Sequence, residues 1–484
     1  MLLMRKSLWF RFILLMAFSS TCLAGKKESI LKVYPSLTWI KEVGAKDFPK
    51  AKKEYSVARF GAVGDGKTLN TKAIQSAIDE CAKKGGGIVT FPAGDYLIGS
   101  IFLKNAVNLR IDKNVTLLGS QNLDDYPDMP TRVAGIEMVW PAALINVSNV
   151  KNAAVTGKGT VHAQGKPFWD KYWTMRKDYE TKGLRWIVDY DCKRPRTLVV
   201  ANSENITVSG LTFKQSGFWT IQLLYSNQCS VNGVKILNNV DGHGPSTDGV
   251  DIDSSSRILV ENSYIDCNDD NFCLKSGRDA DGLRVNRPTE YVVIRNCVSG
   301  AGGGLFTCGS ETSGGIRNVA AYNLKAAGTG VGLRLKSAMT RGGITENIYI
   351  HNVEMADVGT AIETSLNWNP TYSYSTLPAE YEGKEIPCHW KVMLQKVEPE
   401  SLGVPTFRNV FMSNIHASNA KQALVAAGAQ NSLLTNFHFK DIEIHTAKPG
   451  SIEYAKDWEI SNFAFPMSDS AKIKLEKCEN ITFE

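Results

Sequence analysis

Asp248, Asp269 and Asp270 carry the strongest chemical signal in this chain. They sit in Ser246-Thr247-Asp248-Gly249-Val250-Asp251 and Asn268-Asp269-Asp270, among short runs of β-type residues. The two groups are about twenty residues apart, close to one turn if each run is a rung of a solenoid. The carboxylates then stack on neighbouring rungs, roughly 4.8 Å apart along the axis. Acids this close cannot all ionise cheaply, so one is driven to keep its proton while others stay charged. A proton-holding and an ionised carboxyl side by side are the equipment for acid/base cleavage of a glycosidic bond.

The elements that must position these acids repeat along the middle and end of the chain. Asn205-Ile206-Thr207-Val208-Ser209-Gly210-Leu211, Ile258-Leu259-Val260-Glu261-Asn262, Val292-Val293-Ile294-Arg295-Asn296 and Ile348-Tyr349-Ile350-His351-Asn352-Val353 are examples. Each unit reads as strand, Asn/Gly/Ser/Asp corner, strand. The period of roughly 20 to 35 residues indicates a solenoid. Alternation puts β-branched and aliphatic side chains inward, while Asn and Gly tolerate the positive φ of corners. Parallel strands need a connection back to the same edge, which coiling supplies. The sequons at Asn114, Asn146, Asn205 and Asn480 read as corner residues that begin strands.

The front of the chain differs. Thr71 to Lys84 has helical spacing, with Ala73, Ile74, Ala77, Ile78 and Cys81 on one face, Thr71 as a candidate N-cap and Gly85-Gly86-Gly87 as the stop. Such a helix would cover the open apolar end of a solenoid. Residues 166–190, with Phe168, Trp169, Tyr172, Trp173 and Trp186, and the long loop 366–405, with Trp368, Tyr372 and Trp390, are candidate groove walls.

At 484 residues and 43% hydrophobic content the chain can bury a large core. Arg5, Lys6 and Arg11, the apolar run Phe12–Phe18 and Cys22-Leu23-Ala24 read as a secretory signal over residues 1–24. That run is too short for a membrane span of about 20 residues. Residues 25–484 are then a single catalytic domain, exported to a periplasm, a cell surface or the medium. The formal net charge of +6 falls to +3 without those three basic residues (6 − 3). This mild bias suits a polyanionic substrate but lacks the basic runs of a nucleic-acid binder. No CxxC and no zinc-type Cys/His spacing is present among ten cysteines. Cys229, Cys267 and Cys297 fall in or beside β-runs and read as buried free thiols, with Cys267–Cys273 or Cys297–Cys308 bridges as the alternative.

With these motifs in order, the chain resembles glycoside hydrolase family 28, the polygalacturonase family. Phe60-Gly61-Ala62-Val63-Gly64-Asp65-Gly66, Phe91-Pro92-Ala93-Gly94-Asp95-Tyr96, Arg194-Pro195-Arg196 and Ser216-Gly217-Phe218-Trp219-Thr220-Ile221 carry the likeness, which runs from about Tyr55 to about Ile415. It implies an all-β, right-handed parallel β-helix with an N-terminal capping helix, and hydrolysis with inversion of α-galacturonosyl linkages in pectic glycans. The family's Asn-Thr-Asp motif falls on Ser246-Thr247-Asp248, its paired aspartates on Asp269-Asp270 and its Arg-x-Lys on Arg334-Leu335-Lys336. By resemblance Asp269 is the general acid, Asp248 and Asp270 hold and deprotonate water, and Arg334 and Lys336 grip a galacturonate carboxylate. Inversion needs room for water between acid and base, about 6.5–9.5 Å. Arg334 and Lys336 are two apart and point the same way on a strand.

Two departures stand out. The family's Gly-His-Gly falls on Gly302-Gly303-Gly304, so the usual His is Gly303. Rhamnogalacturonan-acting relatives often lack that His, which brings cleavage beside rhamnose into view. His243 either reaches the site as a substrate-binding residue or is a loop histidine bound to backbone. Ser246 replaces the usual Asn, with shorter reach. Glu311 and Trp219 read as structural, and Arg278 and Asp279 either bind substrate or pair with each other. The expected enzyme is a monomeric exo-acting glycosidase needing no cofactor or metal, its groove closed at one end by the loops 166–190 and 366–405. The alternatives are a calcium-assisted pectin lyase on the same fold, and a non-catalytic glycan-binding solenoid.

Overall fold

The structure, a computed structural model, describes residues 29–373, 376–466 and 472–484. The signal segment read in residues 1–24 lies outside them. Two compact units divide the chain, residues 1–38 and residues 39–484. In the first, Ile30–Lys32 forms a single 3-10 turn. The second holds every described strand.

That second unit is a right-handed parallel β-helix. One sheet of twelve parallel strands runs in chain order from Ile101–Phe102 through Val250–Asp253, Asp270–Lys275, Gly302–Cys308 and Thr329–Lys336 to Lys474–Glu476. The remaining rung segments form a second, larger sheet. Register is set by which side chains must be inside. Val250 pairs with Phe272, Ile252 with Leu274 and Phe306 with Leu333, and all six side chains are fully buried. Each rung's apolar floor covers the next, at roughly 1.5–3 kcal/mol per buried large side chain. The alternate positions Asp251, Lys275, Arg334 and Lys336 face away from this core, so one strand face builds the core and the other builds chemistry.

Corners are secured by asparagine. Asn262, Asn296, Asn323, Asn352 and Asn414 all have φ between +52° and +55° and pass side-chain hydrogen bonds from rung to rung, Asn352 donating to Asn323 at 2.7 Å and receiving from Asn414 at 3.0 Å. Asn114, Asn205 and Asn480 occupy positive-φ corners as expected. Asn146 does not. It is buried inside the strand Ile145–Ser148, where its amide bonds Ala143 and the carbonyl of Ile101.

The helix Thr71–Lys83 buries Ile74, Ala77, Ile78 and Cys81 against the first strands, the expected cap. Asn70, not Thr71, precedes its first turn, and the Thr71 hydroxyl instead accepts from the Gly99 amide at 2.8 Å. The described cysteines are free. Neither alternative bridge therefore forms; Cys267, Cys297 and Cys308 lie in the core as free thiols, and Cys273 lies outside it near Asp270.

Three insertions stand on the twelve-stranded face. Residues 166–190 form the helix Lys166–Thr181 and reach the short helix Val188–Asp191. The segment 366–405 contains the short helices Pro370–Ser373 and Cys388–Met393. A third wall went unforeseen: an antiparallel hairpin of Asp128–Val133 and Ile136–Pro141 around Ala134-Gly135. Val133, Trp140, Trp186, Trp219, Trp390 and their neighbours form one apolar cluster that welds the three insertions together. No helix among the described residues is long and apolar enough to cross a membrane.

Candidate active site

The chain reaches Asp248 just before Val250–Asp253 and Asp269 just before Asp270–Lys275, on adjacent rungs. The Gly249 amide donates to the Asp270 carbonyl at 2.9 Å, which fixes the rung-to-rung alignment. Asp248, Asp269 and Asp270 therefore converge, each offering a carboxylate oxygen within 4.8 Å of the others. That is tighter than the acid–base gap expected from the sequence.

Asp270 is held by two cations and a hydroxyl. Oδ1 accepts from Arg334 Nη2 and from Thr307 Oγ1 at 3.0 Å, while Oδ2 accepts from Lys336 Nζ at 2.9 Å. Burial raises its pKa, but the charges of Arg334, Lys336 and Lys275 outweigh burial and hold it well below the usual carboxylate range. Asp269 goes the other way: burial first, then the neighbouring Asp270 charge, push it up. Asp248 is raised well above normal by burial, Asp269 and Asp251, opposed by Lys275. Its Oδ1 is buried without a hydrogen-bond partner. The cluster thus keeps its proton away from Asp270 and among Asp269, Asp248 and Asp251.

The Arg-x-Lys pair corrects one expectation. Arg334 and Lys336 do point the same way, and both bond Asp270, so neither is a cation reserved for a ligand, although Lys336 keeps N–H groups to spare. The reason is their register: Thr307 pairs with Arg334 along the ladder, bringing both cations over the Asp270 carboxylate. Lys336 still lines the cavity, with Nζ 4.3 Å from the centroid of the Trp368 ring.

His243 is the second correction. Its Nε2 lies 3.0 Å from Asp170 Oδ1 on the helix Lys166–Thr181, and its carbonyl accepts from Trp173 Nε1 at 2.7 Å. Asp170 captures the imidazole on the outer side, so His243 ties helix to loop and does not line the cavity. Arg278 and Asp279 pair at 2.9 Å, with Arg341 also on Asp279, and are structural.

Sequence reasoning missed Lys275 and Asp251 and placed Glu311 with the structural residues. Lys275 Nζ lies 3.7 Å from Asp248 Oδ2, 3.6 Å from Asp251 Oδ1 and 3.4 Å from Glu311 Oε2. Their signal was alternation: Asp251 and Lys275 occupy outward strand positions beside the trio. Trp219, read as core, is both 3% exposed and a wall of the site.

These groups floor a cavity of about 130 Å³ walled by Arg185, Trp219, Trp368 and Tyr372 and by the hairpin tip at Ala134. The hairpin is anchored: Arg132 Nη1 donates to Asp253 at 2.9 Å, and Tyr190 donates to the Ala134 carbonyl at 2.8 Å. Behind it lies a larger hollow of about 630 Å³, lined by Met129, Val199 and Tyr225, that contains none of the trio.

A parallel β-helix with stacked aspartates facing a walled cavity is the architecture of a polysaccharide-cleaving glycosidase. The family model for glycosyl hydrolases family 28 matches residues 81–376, and the chain belongs to that family. It is 30% identical over 388 residues to a probable polygalacturonase of Vitis vinifera, covering 76% of this chain and 75% of the relative. To an exo-poly-alpha-D-galacturonosidase of Dickeya chrysanthemi it is 26% identical, covering 89% and 74%. The crystal structure of a hyperthermoactive exopolygalacturonase from Thermotoga maritima is similar at a TM-score of 0.70 and 27% identity, covering 86% of this chain and 92% of that one.

Proposed function

We propose that this glycosidase removes α-galacturonosyl residues from the ends of pectic chains by single displacement with inversion. The observation that carries the reading is the Asp248–Asp269–Asp270 trio on the floor of a small cavity walled by three insertions. Relatives named polygalacturonase and exo-poly-alpha-D-galacturonosidase support the substrate class. The hairpin supports exo action, because Ala134, anchored by Tyr190, adds a wall to a cavity already bounded by the two other insertions.

Asp269, its proton held by burial and by Asp270, protonates the departing glycosidic oxygen. With the cluster's shared proton on Asp269, Asp248 is ionised; water sits between the free Oδ1 of Asp248 and the fixed charge of Asp270, and Asp248 takes its proton. Two hydrogen bonds of about 2.8 Å at a tetrahedral angle span roughly 4.6 Å, which suits the observed clustering. Lys336, with two N–H groups beyond its bond to Asp270, meets the sugar carboxylate, and Arg185 adds a second cation to the wall. The three cations already bound to these acids oppose a divalent ion at the trio, which argues against a calcium-assisted lyase.

Gly303 favours a neighbouring sugar other than galacturonate. A Cβ there would stand 3.3 Å from the Asp269 carbonyl carbon and 3.4 Å from Oδ1 of both Asp269 and Asp270, so a side chain at 303 would press on the acids. We also assign this glycosidase to the exported proteins, on the N-terminal signal pattern.

The test is product analysis on homogalacturonan, rhamnogalacturonan and their oligosaccharides by mass and NMR. Saturated monosaccharide with inverted anomeric configuration is expected. Retained configuration would point to a carboxylate nucleophile, which the short spacing of the acids would also suit. An unsaturated, ultraviolet-absorbing product would point to the lyase, and no product to the glycan-binding solenoid. Polymer viscosity that collapses long before reducing ends accumulate would overturn exo action.

A further inference from the structure

We propose that Lys275 is a positioning residue of this site: its ammonium, caught between Asp248, Asp251 and Glu311, opposes protonation of Asp248 and orients its carboxylate toward the attacking water. This rests on the reading of Asp248 as the base. Lys275 is 5% exposed, and a lysine is seldom buried without paired charge. Its three carboxylate neighbours lie at 3.4–3.7 Å, nearly equidistant, so its charge is shared rather than fixed in one pair. The Trp219 ring, 4.8 Å from Nζ, closes another side and keeps water off.

No nearer cation can substitute. Arg334 and Lys336 are held by Asp270, and Arg341 bonds Asp279 and the Ser310 carbonyl. Both oxygens of Asp251 lack hydrogen-bond partners, and Lys275 at 3.6 Å is its ion-pair partner, with the Arg196 charge acting from further off. The other titratable groups facing Lys275 are Cys273 on its own strand and, more remotely, Asp269 and Asp270. Removing the ammonium would leave Asp248, Asp251 and Glu311 facing one another without the cation that opposes their protonation, so Asp248 takes up a proton at higher pH, which disables it as base.

The experiment is the pH dependence of kcat on a galacturonate oligosaccharide. Because Asp248 must be ionised, activity falls as pH drops through its pKa. Lys275→Met should move that acid limb up by at least about one pH unit while KM changes by less than about threefold. An acid limb that stays in place, with Asp248→Asn inactive, overturns this proposal alone. Activity that survives Asp248→Asn overturns the base reading and this proposal with it. Should Lys275→Met not fold, Lys275→Met/Asp251→Asn, which removes one charge of each sign, is compared with Asp251→Asn. A limb at least about one unit higher in the double variant supports the proposal, and equal limbs overturn it.

Discussion

Lys336 Nζ donates to Asp270 Oδ2 at 2.9 Å inside a site where both side chains are buried. Together with Arg334 this fixes one of the three clustered acids as a permanent anion. The pair is as much a folding element as a chemical one. Lys336→Met leaves Asp270 with one cation fewer, and breaking a buried pair costs about 3–5 kcal/mol. A urea midpoint unchanged from wild type would contradict this.

The same pair sets an acid dependence of stability. Asp270 has a folded pKa below its unfolded value, so its contribution is complete above about pH 3.9 and is lost as pH falls from there toward the folded value. Stability of the wild type should therefore decline below about pH 4, and the decline should be shallower in Lys336→Met. Parallel curves for the two proteins would show that Lys336 does not set the Asp270 charge.

Asp269→Asn should slow hydrolysis by at least about 100-fold, the loss of general-acid help. The proton of Asp269 is held above the ordinary carboxylate range by burial and by Asp270. The wild-type rate should accordingly fall on the alkaline side, as that proton leaves, and the limb should vanish in the variant. Reducing-sugar release across pH measures both, and little change in rate would refute the assignment.

Gly135 tests the hairpin wall. Its φ is +90°, and a Cβ there would come within 2.4 Å of the Arg278 Cβ and 2.7 Å of the Glu311 Cγ. Gly135→Ala must push the tip out of the cavity. A displacement of roughly 1 Å at a site of this kind can cost about 100-fold in rate. Wild-type turnover by a well-folded Gly135→Ala would mean that the tip does not shape the site.

Asn352 tests the corner ladder. Asn352→Gly removes two rung-to-rung hydrogen bonds while keeping the positive φ accessible, at roughly 1 kcal/mol per bond. Asn352→Ala adds left-handed strain of roughly 1–2 kcal/mol. Thermal denaturation should rank wild type above Gly and Gly above Ala. Alanine matching glycine would show that the left-handed corner carries no strain.

The coil was legible because its causes are local. Alternating Val, Ile and Leu beside Asn corners can bury its apolar side only by stacking, and the spacing of Asp248 from Asp269 already implies adjacent rungs. The face of Thr71–Lys83 was readable for the same reason. The hairpin at Ala134-Gly135 was harder, since its two short runs bury themselves not in the coil but against Trp186, Trp219 and Trp390, residues distant in sequence.

The sequence by itself determined the solenoid, the meeting of the three aspartates and the shared direction of Arg334 and Lys336, because period and alternation are properties of neighbouring residues. Only the tertiary structure decided what each charge touches. It gave Arg334 and Lys336 to Asp270, turned His243 outward to Asp170, and placed Lys275 amid Asp248, Asp251 and Glu311. Charge partners are chosen across rungs and insertions, by distances of a few ångströms at low dielectric, and no periodicity along the chain encodes them.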